Sequence, residues 1–431
     1  MILFDLILII FGIFISVSSY RRICFEKNAS VANYTVLIIF AFCILPIILN
    51  YIMGIPTYTS QYWYRPFIEP MKNVKIGIIY DIYILCAIFS LYFIECKRKK
   101  YKEKEVVQNN FFIDTLKRHK IICLILILSP LLLIICNGTL SNYAIYNTTQ
   151  NRGLSEVASN RWVTPLLLMS LCVFFSITFK ENISKKKIFI SFIYFFVVAW
   201  ISGKRFIFAN ILILSLFYLS NMDLDIKFRK KMYYLLPIIV VILVMFSGFY
   251  LSVLKPAKVH SDNSVYDMLR VDFGRDDVIK YVINKEFFEK EPILDYRGES
   301  FLSLVFELLP RKIWKNKPYE HYMYLTSSIL ELPVNSLPAG TTPCWFEMCL
   351  CNFSYFGFFI AIYSLCFISR LFDKTLDVDL KGVGMLLISV LLTQSMDVYF
   401  TILIILFIMI FFRKIYLKKN RQNGELLYVE N

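Results

Sequence analysis

Apolar runs of the length that crosses a bilayer recur along this 431-residue chain, and one polar segment, Lys255 to Pro343, is the long interruption between them. Hydrophobic residues make up 58% and aromatic residues 17% of the sequence. A single soluble core could not hide that much apolar surface. The sequence therefore predicts an all-α polytopic integral membrane protein, with about eleven transmembrane helices and one large extracytoplasmic loop that contains amphipathic helices. The predicted domains are a membrane bundle over 1–254, the loop over 255–343, and C-terminal helices with a basic tail over 344–431.

Seven apolar runs are predicted to be individual spans. They are Ile2–Ser19, Asn33–Met53, Val74–Ile94, Ile121–Cys136, Trp162–Phe179, Tyr233–Leu254 and Trp345–Ile368. The first span is followed directly by Tyr20, Arg21 and Arg22 rather than by a small-residue cleavage site. We therefore expect a retained helix and not a removed signal peptide.

Lysine and arginine clusters fall after alternate spans, and this pattern predicts the orientation of the chain. The clusters are Arg21–Lys27, Lys97–Lys104, Lys117–Lys120, Lys180–Lys187, Lys227–Lys231 and Arg413–Arg421. The positive-inside rule places all of them in the cytoplasm, so the N-terminus is expected outside and the C-terminus inside the cytoplasmic (inner) membrane. The net charge of +15 is then mostly a topology signal. A nucleic-acid partner is not expected.

Two pairs of apolar runs are too short to cross the membrane fully. Ile188–Ile201 and Phe206–Leu219 flank the segment Ser202–Arg205, and Gly382–Met396 with Val398–Phe412 repeats the arrangement. A run of about 14 residues reaches about 21 Å as a helix, against a hydrocarbon thickness of roughly 30 Å. Irregular backbone at such depth is tolerated where it lines a wet cavity. Both hairpin tips are predicted to line a cavity that opens outward.

The first of these tips carries two cations, Lys204 and Arg205. Each would cost about 2.5 to 3.5 kcal/mol near the membrane interior unless hydrated or paired. Asp81 and Asp397 are the acidic residues predicted inside the membrane, and either could pair with one of the cations. A bound phosphate or diphosphate would supply the remaining negative charge. A purely structural ion pair is the alternative interpretation.

The polar loop shows three patterns of its own. Arg275–Lys290 has apolar residues at helical spacing and predicts an amphipathic helix that lies on the membrane or on the bundle, with Asp276 and Asp277 on its solvated face. Phe301–Leu309 predicts a second helix. Arg311–Pro318 mixes cations with an indole at headgroup level, a composition suited to meeting an anion at the interface, or simply to forming a solvated basic strip.

Several short segments, in this order along the chain, resemble those of the bacterial O-antigen polymerases of the Wzy type. They are Ser202–Arg205, Tyr296–Glu299, Leu309–Arg311, Lys317–Pro318, Gly340–Pro343, Glu347 and Asn352–Phe353. The chain departs from the family after Asn352–Phe353, where Ser354 stands in place of a glycine and the next glycine is Gly357. That departure weakens the expectation of close helix packing at this point.

The resemblance implies a membrane glycosyltransferase that joins oligosaccharide repeat units carried on undecaprenyl diphosphate, at the outer face of the cytoplasmic membrane. Membrane lipid, a chain-length regulator and a flippase are the further partners that it implies. A lipid-activated sugar donor needs no nucleotide-bound metal ion, so no metal site and no cofactor are expected.

Roles for individual residues follow from this reaction, in which the growing chain leaves its lipid diphosphate. Arg205 and Arg311 are predicted catalytic cations that stabilise the leaving diphosphate together with Lys204, because fixed guanidinium groups in a water-poor cavity favour developing negative charge. The predicted further substrate-binding residues are Arg297, Arg152, Arg161, Lys317 and His321.

The acceptor hydroxyl needs a general base, and Glu347, Glu299 and His321 are the eligible groups. Glu347 is preferred because it lies at the outer end of a predicted span, where burial would strengthen its role as a proton acceptor. His321 is also interpreted as an ordinary exposed loop histidine.

Two other functions remain compatible with the sequence. An O-antigen ligase uses the same kind of donor but transfers the chain to lipid A core, and it needs the same cations. A polysaccharide flippase or another transporter would place its substrate site near the membrane midplane. The acceptor used in vitro separates a polymerase from a ligase, and an unchanged chain length identifies a flippase.

Overall fold

The computed structural model describes most of the chain as helices. The residues described are 2–26, 29–58, 62–98, 120–137, 163–179, 185–202, 206–222, 224–238, 264–306, 309–337, 340–375, 377–395, 398–400 and 402–411. Within these ranges no residue belongs to a β-strand. Lys204, Arg205, Arg152, Arg161 and Asp397 lie outside the described residues.

The helices of the first half are α1 Ile2–Phe25, α2 Val31–Met53 with a π-helical turn at Phe40–Ile44, α3 Ile68–Lys72, α4 Val74–Arg98, α5 Lys120–Cys136, α6 Val163–Thr178, α7 Lys185–Ser202, α8 Phe206–Asn221 and α9 at 226–238. Those of the second half are α10 Ser264–Phe273, α11 Asp276–Ile283, α12 Glu299–Val305, α13 His321–Leu330, α14 Trp345–Phe353, α15 Phe356–Asp373, α16 Val378–Thr393 and α17 Val398–Phe411.

Four of the described helices are long and apolar enough to cross a membrane, namely α1, α2, most of α4 and α15. Large apolar side chains such as Ile10 and Phe14 on α1 are exposed, as expected for a lipid-facing surface. The chain is therefore a helical membrane protein. Shorter apolar helices occur in α5, α6, α8 and α17. The total of eleven spans stays a prediction.

Interhelical contacts define one end of the bundle, which we call the basic end. There Arg229 donates hydrogen bonds to the carbonyls of Cys24, Ser220, Met222 and Leu224 at 3.0–3.4 Å. Carbonyls at helix ends lack partners within their own helix, and a guanidinium satisfies several of them at once. The opposite end, which carries the connection between α2 and α4, is the loop end.

The π-helical turn in the middle of α2 is explained by Pro46. Proline has no N–H, so it cannot donate to the carbonyl of Phe42 four residues earlier. The ladder shifts locally, and Leu45 N–H bonds to Phe40 O instead. The freed Phe42 carbonyl accepts a hydrogen bond of 3.0 Å from the backbone N–H of Arg275, which belongs to the polar loop. One proline thus creates an acceptor inside the bundle for a distant segment.

The segment Ser264–Ile283 forms a re-entrant hairpin. Near its start, Asp267 accepts hydrogen bonds from Thr57 at the loop end, whereas its turn places Arg275 against Phe42, halfway along α2. All eight residues of α11 are buried. The prediction that this helix lies on a surface with Asp276 and Asp277 in solvent is wrong, because its charged side chains meet partners inside the bundle.

Helices α14 and α15 form a second tight hairpin rather than the one continuous span predicted for Trp345–Ile368. The chain breaks at Ser354, whose φ is 53°. Trp345 Nε1 donates to Ser364 Oγ at 2.7 Å, so the two helices run antiparallel. A Cβ placed on Gly357 would lie 2.3 Å from the carbonyl oxygen of Cys349. Close packing at this glycine is therefore present, contrary to the weakened expectation.

Helices α8 and α16 also pack antiparallel. Tyr218 donates to Asp379 at 3.2 Å near the basic end, and Ser389 donates to Asn210 at 2.7 Å further in. Gly382 brings α16 against the ring of Tyr218. Since α16 begins at the basic end and ends at Thr393, it stops inside the bundle.

Candidate functional site

The tip of the re-entrant hairpin is closed by Arg275, which is 3% exposed. Its guanidinium donates to Thr393 O, the C-terminal carbonyl of α16, at 2.9 Å and to Gly274 O at 2.7 Å. It also lies 5.7 Å from the centre of the Phe42 ring. A cation at a helix C-terminus is favourably placed against the helix dipole. Arg275 therefore connects the turn of the re-entrant hairpin to the C-terminal end of α16.

A buried ion pair supports this tip. The guanidinium of Arg270 donates to both carboxylate oxygens of Asp276, at 2.8 and 3.0 Å, and both side chains are fully buried. The neighbouring Asp277 accepts from Tyr58 Oη at 2.7 Å. A bidentate pair of this kind satisfies most of the polar atoms that burial removes from water.

Glu347 and His321 form a pair that solvent does not reach. Glu347 Oε1 accepts from the backbone N–H of Cys344 at 2.7 Å and so caps α14. His321 Nε2 lies 3.7 Å from the same oxygen, and its Nδ1 is 2.8 Å from Ser300 Oγ. Neither Glu347 Oε2 nor His321 Nε2 has a hydrogen-bond partner among the described residues. The interpretation of His321 as an exposed loop residue is wrong, since it starts α13 at the junction with α14.

Arg297 contacts α14 at Cys351, one helical turn beyond Glu347. Its guanidinium is 2.6 Å from the buried carboxylate of Glu286 and donates to Cys351 O at 2.6 Å. The side chain is 43% exposed. One edge of the guanidinium thus holds the loop to α14, and the rest of the group stays at the surface.

Glu299, a candidate base, has both carboxylate oxygens occupied. One oxygen accepts from the backbone N–H groups of Asp295 and Tyr296, and the other accepts from the hydroxyl of Tyr324. Burial, and secondly the hydrogen bond to Glu299, raises the pKa of Tyr324. Glu299 therefore positions α12 and α13, and Glu347 remains the carboxylate with an oxygen to spare.

Arg311 and Lys317 close their own turn, which we call the basic turn (309–318). Arg311 donates to Lys317 O at 2.5 Å and to Pro318 O at 3.1 Å, and it lies 3.8 Å from the centre of the Tyr319 ring. Lys317 Nζ donates to Leu309 O at 3.2 Å. Both cations are pre-ordered by these carbonyls, and Arg311 remains exposed.

The structure brings His321 and Glu347 together at the start of α14, and Arg297 contacts the same helix at Cys351. The basic turn is connected to α13 through two aromatic side chains. Arg311 lies against the ring of Tyr319, and the rings of Tyr319 and Tyr324 are 6.1 Å apart. The remaining predicted residues Lys204, Arg205, Arg152 and Arg161 are outside the described part of the chain, and their roles stay predictions.

A polar groove of about 380 Å³ opens beside Tyr324. Its carboxylates are Glu291, Asp295 and Glu331, and its cation Lys285 is paired with Glu289 at 2.5 Å and with Glu291 at 2.7 Å. Hydroxyl and carboxylate groups dominate the lining. Such a groove suits hydrogen bonding to sugar hydroxyls better than binding to a diphosphate.

Sequence reasoning missed Arg270, Arg275 and Lys280, all of which are buried. It assigned Arg275 and Lys280 to a surface helix because their charges alternate with apolar residues at helical spacing, and it made no prediction for Arg270. Pro46 was the available signal, because a proline within a long span leaves a carbonyl that another part of the protein must satisfy.

No protein-family model, no curated protein and no solved structure matches this chain.

Proposed function

We propose that this protein is a membrane glycosyltransferase that polymerises undecaprenyl-diphosphate-linked oligosaccharide repeat units into a surface polysaccharide, O-antigen or capsule, on the outer face of the cytoplasmic membrane. The observation that carries the proposal is the convergence of separate segments on one buried pair. The segments around Arg297, His321 and Glu347 are separate in sequence but meet at α14. The segments around Arg297 and Glu347 carry the family resemblance, and His321 lies between them in the sequence.

Glu347 is the proposed general base. Its Oε1 is held by the helix cap, and its Oε2 is the atom left to accept the proton of the acceptor hydroxyl. His321 is held at Nδ1 by Ser300 and lies 3.7 Å from Glu347 with Nε2 open. His321 can therefore take the proton on from the glutamate or hydrogen-bond to the acceptor sugar.

Cations near this pair would receive the diphosphate. Arg297 and Arg311 each keep part of a guanidinium at the surface after making their loop contacts, and Lys317 is held in the same turn. Lys204 and Arg205, with Arg152 and Arg161, are proposed to supply the remaining charge, with Lys204 and Arg205 acting from the connection between α7 and α8. The groove beside Tyr324 is proposed to take the sugar chain.

The test is complementation of a gene deletion, read as a surface-polysaccharide ladder on a gel. The deletion is expected to remove the ladder and leave single repeat units, and the wild-type gene is expected to restore it. Glu347→Gln keeps an oxygen that caps α14 and is expected to fail to restore the ladder at wild-type protein levels. Glu69→Gln, a change at an exposed carboxylate of α3, serves as the matched control and is expected to restore it. A full ladder with Glu347→Gln contradicts the proposed base.

A transporter of lipid-linked saccharide is the second candidate, and one observation favours it. Interrupted helices meet inside the bundle at Arg275, where α2 has its π-helical turn and α16 ends. Discontinuous helices of this kind form the central sites of many transporters. In reconstituted vesicles a transporter would move the lipid-linked unit across the bilayer without changing its length, and Glu347→Gln would leave that movement intact.

A further inference from the structure

Asp81 is a buried residue on an apolar helix, and its carboxyl group has no hydrogen-bond donor. It lies on α4, is 2% exposed, and neither of its oxygens accepts a hydrogen bond from any described residue. Asp5 of α1 is equally buried and interacts with it electrostatically. Ionised carboxylates are both acceptors, so these two can be joined by a hydrogen bond only if one of them carries a proton. Intramembrane carboxyls of this kind are rare and functional by default.

Lys280 of the re-entrant hairpin faces the same pair. Its side chain is 4% exposed, its ammonium lies 4.8 Å from the centre of the Tyr80 ring, and it interacts electrostatically with Asp81. Tyr51 donates from its hydroxyl to Asp5 Oδ2 at 2.5 Å. Tyr80 and the N-terminal ammonium also interact electrostatically with Asp81. The Asp81 carboxylate is thus buried beside an ammonium and accepts no hydrogen bond.

The unbonded oxygens of Asp81 identify what is missing. Two ionised carboxylates buried side by side repel each other, and neither can donate a hydrogen bond to the other. Two carboxylates that share a low-dielectric site do not both stay ionised. One proton removes this repulsion and supplies the donor that the carboxyl pair lacks.

We propose that Asp5 and Asp81 form a binding site for one proton, with Lys280 as its fixed counter-charge. The proton sits between carboxyl oxygens of the two aspartates, and Tyr51 holds Asp5 in place from the side. Lys280 belongs to α11. Loss of the proton therefore adds a negative charge that attracts the Lys280 ammonium of the re-entrant hairpin. This site stands independently of the glycosyltransferase proposal, since Glu347 and His321 take no part in it.

Infrared difference spectroscopy of the purified full-length protein tests the site directly. Wild-type protein at neutral pH is expected to show the C=O stretch of a protonated carboxyl, which disappears as the pH is raised. Asp81→Asn and Asp5→Asn are each expected to remove that band. Asp295→Asn, which changes an exposed carboxylate of the loop, is the control and leaves the band unchanged.

Two further variants keep the proposal falsifiable if an asparagine variant does not fold. Tyr51→Phe removes the hydrogen bond that stabilises the ionised form of Asp5, so the band is expected to persist to higher pH. Lys280→Met removes the counter-charge, so the band is expected to grow as the second carboxyl also binds a proton. The absence of a protonated-carboxyl band in wild-type protein at neutral pH, or a band that neither Tyr51→Phe nor Lys280→Met changes, overturns the proposal.

Discussion

The re-entrant hairpin and the basic turn carry the same kinds of charged residue and use them in opposite ways. In the hairpin, Arg270 and Arg275 are buried and bonded to a carboxylate and to helix-end carbonyls. In the basic turn, Arg311 and Lys317 bond to carbonyls of their own turn, and Arg311 remains exposed. Exposure, not charge, separates a cation that holds the bundle together from one that is available to a ligand.

The same difference predicts whether a substitution in each region changes stability or activity. Removing one partner from a buried pair leaves the other charge in a low-dielectric interior. Removing an exposed cation leaves its neighbours in water. Stability should therefore respond to changes in the hairpin, whereas changes in the basic turn should affect activity.

Asp276→Ala is expected to give the largest loss of stability. It leaves the guanidinium of Arg270 buried without its carboxylate, at a cost of about 3–5 kcal/mol. The thermal midpoint of the detergent-solubilised protein, followed by size-exclusion chromatography after heating, measures this loss. The double variant Arg270→Met with Asp276→Leu removes both charges and is expected to recover most of it. Equal loss in the single and double variants would show that packing, and not the charge pair, sets the cost.

Glu347→Gln is expected to give the largest loss of activity with little loss of stability. A positioned general base contributes about 10²- to 10⁴-fold to the rate, and glutamine keeps the hydrogen bond that caps α14. Chain extension by reconstituted protein on a lipid-linked repeat unit is the measurement, with Glu69→Gln as the control. His321→Gln should lower the rate less if His321 acts through Glu347. Unchanged extension by both variants would remove the pair from the mechanism.

Arg275→Met tests the tip of the hairpin. It removes charged hydrogen bonds to Thr393 O and Gly274 O but keeps the backbone N–H that bonds to Phe42, so we expect a loss of about 1.5–3 kcal/mol. The thermal midpoint should fall less than for Asp276→Ala. A midpoint equal to that of the wild-type protein would show that the end of α16 does not depend on Arg275.

Arg311→Ala tests the basic turn from the opposite side. An exposed cation–π contact contributes about 0.5–1 kcal/mol, so the thermal midpoint should change only slightly. Chain extension should fall strongly if this guanidinium meets the diphosphate, and Arg311→Lys should restore only part of it because lysine lacks the planar fork. Full extension by Arg311→Ala would exclude Arg311 from the site while leaving the roles of Arg297 and Glu347 open to their own tests.

The Lys285–Glu291 pair at the surface should give the smallest effect, and its sign follows from the pKa directions. The hydrogen bond and charge of Lys285 lower the pKa of Glu291, whereas hydrogen bonds to Glu289 and Glu291 outweigh burial and raise the pKa of Lys285. The stabilisation from Glu291 is present above its unfolded pKa and is lost as the pH falls through its folded pKa. That from Lys285 is lost as the pH rises through its folded pKa. Thermal midpoints of wild-type and Glu291→Gln protein should therefore differ slightly at neutral pH and converge in acid, and a gap that widens in acid would contradict this.

The amino-acid sequence predicted the class of the protein and most of its helix positions, because long apolar runs determine both. It also placed Glu347 and Arg297 near each other in function, and the structure brings them together around α14. The re-entrant hairpin could not be predicted from local pattern, because the helical spacing of Val278, Ile279 and Val282 suits a surface helix as well as a buried one. The residues that surround its charged side chains belong to α2, α4 and α16, which lie far away in the sequence. Pro46 indicates which carbonyl of α2 needs a hydrogen-bond donor from elsewhere, but it does not identify the segment that supplies that donor.

Photo-crosslinking from position 42 tests most directly whether the polar loop enters the bundle. Benzoylphenylalanine in place of Phe42 keeps an aromatic side chain beside the hairpin tip, where the rings of Phe42 and Phe273 are 6.0 Å apart. Irradiation of the protein in native membranes, followed by mass spectrometry of peptides, is expected to yield adducts within 270–276. Adducts confined to lipid or to neighbouring apolar helices, with none in the re-entrant hairpin, would show that the loop stays outside the bundle.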